Sequence, residues 1–134
     1  MGCDIHFFTE IKLDGEWFCY GQPLIPRNYD LFGKLAGVRR EMYKPIAPAR
    51  GLPADCSKVV KWAAERWEDD GHNFSYINSE EIAYLYDWWK VFYAYDQYLA
   101  TFPEVQLGYL NGSDWLKPWP SGVQDVRFVF WFDN

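Results

Sequence analysis

The chain has 134 residues, a length that fits one domain; 49% are apolar, 21% aromatic and 24% charged, with a formal net charge of −6. This composition excludes a disordered tail, a collagen-like repeat and a generally basic nucleic-acid binder. No apolar run approaches the ~20 residues that span a bilayer, so no membrane partner is expected.

The stretch Asp4 to Lys12 alternates, with Ile5, Phe7, Thr9 and Ile11 on one side and Asp4, His6, Phe8 and Glu10 on the other, and reads as a strand. Asp14-Gly15 is a tight-turn signal, and Glu16–Tyr20 is the returning strand. Asn28 is placed to cap a helix over Tyr29–Gly37. Residues 39–53 hold Pro45, Pro48, Gly51 and Pro53 and read as a long loop. Ser57 caps a second helix, Lys58–Glu68, whose Val59, Val60, Ala63, Ala64 and Trp67 form an apolar stripe. Asp70, Gly71 and His72 then fall in a loop between helices. Asn78 with Glu81 resembles a capping box for a third helix from Ser79 toward Thr101, with Pro103 as its stop. Residues 104–122 read as loop, and Val126–Asp133 alternates again as a strand.

These elements predict one α+β domain over residues 1–134. Its sheet is antiparallel and three-stranded, the N-terminal hairpin plus the C-terminal strand, with about three helices covering one face. The aromatic run from Tyr84 to Tyr98 surrounds its helix completely, which points to burial or a second protomer, hence a homo-oligomer. The chain starts Met1-Gly2-Cys3-Asp4 without a signal-peptide core, and Cys3, Cys19 and Cys56 lack CxxC spacing. Both features predict reduced thiols and a cytoplasmic setting.

Only two histidines exist, each two residues after an aspartate: Asp4-Ile5-His6 and Asp70-Gly71-His72. In a strand, residues i and i+2 share a face, so Asp4 and His6 project together. Folding the second motif over the first would gather two carboxylates and two imidazoles, a set fit for acid–base work or for a divalent metal. Short patterns of this kind also arise by chance, with the aspartates as caps and the histidines as donors to backbone carbonyls.

Charge is unevenly spread. Residues 27–66 carry nine bases and four acids, and the remainder four bases and fifteen acids. Within the basic stretch, Arg27, Arg39, Arg40 and the loop residue Arg50 offer guanidinium forks that match pairs of phosphate oxygens. Asn28, Tyr29 and Asn73 are polar and aromatic contacts for the same ligand, and an aromatic ring can stack a base.

Met1-Gly2-Cys3-Asp4-Ile5-His6, Arg27-Asn28-Tyr29-Asp30-Leu31-Phe32, Pro45-Ile46-Ala47, Arg50-Gly51-Leu52-Pro53, Asp70-Gly71-His72 and Val129-Phe130-Trp131-Phe132-Asp133-Asn134 together resemble a family of small proteins encoded by bacteriophages and prophages. The resemblance implies a phage origin and a host bacterial cytosol, and it supplies no settled activity.

Three function classes follow. The first is a protein that binds a small anionic nucleotide-type ligand and sequesters a host defence signal, with no cofactor required. The second is a small phosphodiesterase-like hydrolase in which His6, His72, Asp4 and Asp70 act as acid–base groups or hold a divalent metal. The third is a protein-binding inhibitor or structural phage component. A nucleic-acid polymer is not an expected partner in any of them.

Overall fold

Strands β1 (Asp4–Leu13) and β2 (Glu16–Gly21) pair across the two-residue turn Asp14-Gly15. Both turn residues have left-handed backbone, φ 50 and 79. That geometry matches the twist of the flanking strands, which is why Asp-Gly works here. The computed structural model describes residues 2–95 and 121–134.

Helix α1 (Tyr29–Ala36) begins where the Asn28 side chain accepts the Leu31 N–H and ends at Gly37 with φ 70. Helix α2 (Lys58–Glu65) is capped by Ser57 and stops three residues earlier than its apolar stripe suggests, in a run of turns to Asp70. Helix α3 (Ser79–Tyr95) opens on the expected capping box: Asn78 N–H donates to Glu81, and Glu81 N–H donates to Asn78. The expected continuation to Thr101, its stop at Pro103 and most of the 104–122 loop lie outside the described residues. No helix among the described residues is long and apolar enough to cross a membrane.

The sheet has four strands rather than three. Gly71 and His72, expected in a loop, open strand β3 (Gly71–Ile77), and the order is β2-β1-β4-β3 with β4 spanning Asp125–Asp133 and every pairing antiparallel. Alternation along β3 is broken by an irregularity between His72 and Ser75, where Asn73 has φ 55. The extra residue throws the apolar positions out of phase, so the pattern does not read as a strand.

Helices cover both faces of the sheet, not one. Leu31, Phe32 and Leu35 of α1 and Ile82, Leu85 and Trp89 of α3 pack with Phe7, Phe128, Phe130 and Phe132 on one side. Val60 and Ala64 of α2 pack with Phe8, Val129 and Trp131 on the other. Central strand β4 is therefore buried from Val126 through Phe132, which accounts for its nearly unbroken apolar sequence.

Candidate functional site

Register brings the two Asp-x-His motifs to the same end of the sheet. Asp4 pairs with Asp133 of β4, and Asp133 pairs on its other side with Gly71. The imidazoles nevertheless leave opposite faces. His6 is paired with Trp131, on the α2 face, whereas His72 is paired with Phe132, on the α1 and α3 face. Asp70 is exposed in the turn before β3. The expected meeting of Asp4, His6, Asp70 and His72 does not form, and among the described residues no three His, Cys, Asp or Glu side chains are grouped to hold a metal. The sheet itself separates the two rings.

What forms instead is a dyad that uses a carboxylate from the far end of the chain. His6 Nε2 lies 2.6 Å from Asp133 Oδ2, with the two side chains 19% and 17% exposed. The His6 ring rests between Trp67, with centroids 4.3 Å apart, and Trp131, at 5.7 Å. Across the row, Arg27 grips Asp4 with two bonds, of 2.8 and 3.2 Å. The Arg27 bond holds the Asp4 carboxyl below its ordinary range. His72 faces amide oxygens from both ring nitrogens, Asn73 at 2.6 Å and Asn134 at 3.3 Å.

The arginines divide into two groups. Arg50 is a structural pin. It donates to Tyr76 O at 2.9 Å and bidentately to Glu81 at 2.6 and 2.7 Å, while its own N–H donates to Ser75 Oγ. Tyr76 lies beside Val129 and Gly71 beside Asp133, four residues away along β4, so the Arg50 guanidinium engages the sheet about 13 Å along the strands from the His6–Asp133 dyad. The Arg50 guanidinium therefore does not join the two Asp-x-His motifs in one cleft.

Arg27, Asn28, Tyr29, Arg39 and Arg40, by contrast, do come together at the start of α1. The guanidinium carbons of Arg39 and Arg40 lie 5.4 and 6.0 Å from the Tyr29 ring centroid. Tyr29 Oη accepts the Cys3 N–H at 3.2 Å, which joins this cluster to the end of β1. Burial pushes the Cys3 thiol up, with the neighbouring Arg39 opposing that shift. Arg40 Nε stands 3.6 Å from Asp30, and the Arg40 side chain is 43% exposed. Asn28 serves the helix as its cap. Asn73 lies at the other edge, in the β3 irregularity.

Strand alternation alone does not reveal the roles of Asp133 and Trp67, nor a buried ionic network. Glu10, fully buried, accepts from Arg127 Nε at 2.7 Å and from Ser57 N–H at 2.6 Å. Arg127 also donates to Asp55 at 2.9 Å and lies 3.9 Å from the Trp17 ring centroid. A signal was present: aligning the two strands antiparallel with Asp4 opposite Asp133 sets Glu10 opposite Arg127. Two grooves flank α2. One, of about 590 Å³, has Leu52, Ala64 and Phe74 among its lining, and the other, of about 570 Å³, lies between α2 and the hairpin. Neither is lined by His6 or His72. No family model, curated protein or solved structure matches the chain.

Proposed function

We propose that the protein binds a small anionic ligand of nucleotide type at Tyr29, Arg39 and Arg40, and that binding without turnover is its role. The observation that carries this reading is the approach of two guanidinium groups to one tyrosine ring, their central carbons 5.4 and 6.0 Å from its centroid. An arginine held against an aromatic face loses little further freedom when its fork takes two phosphate oxygens. The backbone of Arg39 supports the same reading. Its φ of 66 is left-handed, which costs a non-glycine residue about 1–3 kcal/mol and is found where a site needs a side chain aimed against local preference. Sequestration of a signalling nucleotide requires no more than such a cradle.

The test is incubation of the protein with ADP-ribose and with cyclic dinucleotides, followed by assay of the filtrate and of the material released by heating. Depletion of one probe with intact recovery is the expected result. Full recovery of every probe in the filtrate would reject the proposal.

A second reading rests on the His6–Asp133 bond of 2.6 Å. A carboxylate that orients an imidazole is the arrangement acid–base hydrolysis uses. Conversion of a probe, lost in His6→Ala, would favour this reading over sequestration. Conversion that survives His6→Ala would exclude the dyad as its source.

A further inference from the structure

The cluster at the start of α1 holds a carboxylate beside its guanidinium groups. Asp30 follows Tyr29 in the first turn of the helix. Its Oδ1 is shared by two partners: the Tyr43 hydroxyl donates to it at 3.0 Å, and Arg40 Nε stands 3.6 Å away. A carboxylate offers about four acceptor sites, so two partners on one oxygen leave it with capacity to spare. The Asp30 side chain is 27% exposed, within reach of a molecule from solvent.

The adjoining turn is seated so that this arrangement is in place before a ligand arrives. Tyr43 N–H donates to Arg40 O at 3.0 Å, which closes a turn over residues 40–43. That turn rests on Gly33, three residues after Asp30 and on the same face of α1. A Cβ at position 33 would stand 2.5 Å from Arg40 Cβ and 2.8 Å from both Arg40 O and the Tyr43 ring. Glycine alone admits the contact without a shift. Burial, and then the bond to Asp30, push the Tyr43 hydroxyl up from its ordinary value, so it stays a donor. Arg40 presents Nε to Asp30, while its Nη1 donates to Arg39 O at 3.4 Å. Of the five N–H donors of an arginine, those on Nη2 point to neither partner and suit an anion.

A carboxylate beside an anion site repels the ligand unless the ligand also gives it a bond. A carboxylate only accepts, and the donors nearest the phosphate of a nucleotide are its sugar hydroxyls. Resting on the anion site proposed above, we propose that Asp30 selects the sugar. Arg39 and Arg40 take the phosphate and Asp30 accepts a ribose hydroxyl, so the site prefers ribonucleotides to nucleotides lacking the 2′ and 3′ hydroxyls. A ligand with the hydroxyls gains a charge-assisted bond, and one without them meets the negative charge alone.

Equilibrium dialysis of the full chain against adenosine 5′-monophosphate and 2′,3′-dideoxyadenosine 5′-monophosphate tests the proposal. The ribonucleotide is expected to bind about tenfold tighter. Asp30→Ala should abolish that preference from both sides, weakening the ribonucleotide and strengthening the dideoxynucleotide as the repelling charge leaves. The isosteric Asp30→Asn should narrow it by raising affinity for the dideoxynucleotide. An aspartate that only held the loop would, once removed, weaken both ligands alike, and that result would overturn the assignment. So would a preference that survives both substitutions. Equal binding of the two nucleotides by the wild type would also overturn it, while leaving the anion site standing. Binding of neither nucleotide would remove the anion site itself, and the sugar selection with it.

Discussion

Glu10 and Arg127 show how single residues tie this fold together. Each sits on a central strand, and the pair holds β1 to β4 while Glu10 also caps the approach to α2 through the Ser57 N–H. Glu10→Ala leaves a guanidinium only 8% exposed with its buried partner gone. A loss of about 1–3 kcal/mol in urea unfolding is expected, because Arg127 Nε and the Ser57 N–H each lose a buried acceptor while Asp55 still pairs with Arg127. The Arg50–Glu81 pair gives a pH signature. Burial raises the Glu81 carboxyl, but the Arg50 bond and the Asn78 N–H outweigh it and hold the group below its ordinary value of 4.5. A carboxyl depressed in the folded state stabilises fully above its unfolded value and loses that contribution as pH falls through the folded one. The urea midpoint should therefore fall less steeply below pH 4.5 in Glu81→Gln than in the wild type. Parallel acid limbs in the two proteins would count against the pair.

Among the elements, β3 is the informative one. Asn73 sits at φ 55 beside the ladder irregularity, a conformation asparagine tolerates and a β-branched residue does not. Asn73→Val should destabilise the protein by about 1–2 kcal/mol, while Asn73→Gly should not. Equal stabilities by thermal melting would mean that the irregularity is not fixed by backbone preference. The same residue explains why β3 could not be read from its sequence. Phe74 and Tyr76 share the α2 face, but the bulge at Asn73 breaks the period two before His72. The hairpin, the two capped helices and the capping box at Asn78 were legible because turn and cap chemistry is local. Pairing across the chain was not: Asp133 becomes the partner of His6 only through the β1–β4 register, and Arg50 is claimed by Glu81 through a tertiary contact.

At the scale of the whole molecule, a sheet with helices on both faces leaves function to its rims. One end of the sheet collects the His6–Asp133 dyad and the Arg27–Asp4 pair, and the start of α1 adds Tyr29 with Arg39 and Arg40. The cluster of Arg27, Arg39 and Arg40 falls within the basic stretch of an otherwise acidic chain, the charge pattern that the proposed anion site calls for. The most direct measurement of the binding claim is isothermal titration of whichever nucleotide probe is depleted, into wild type, Arg39→Gly and Arg40→Ala. Glycine at position 39 removes the guanidinium while suiting the left-handed backbone. Each substitution is predicted to weaken binding by about tenfold or more, the ~1.4 kcal/mol or greater carried by charge-assisted bonds. Wild-type affinity in both folded variants would contradict the assignment of the site.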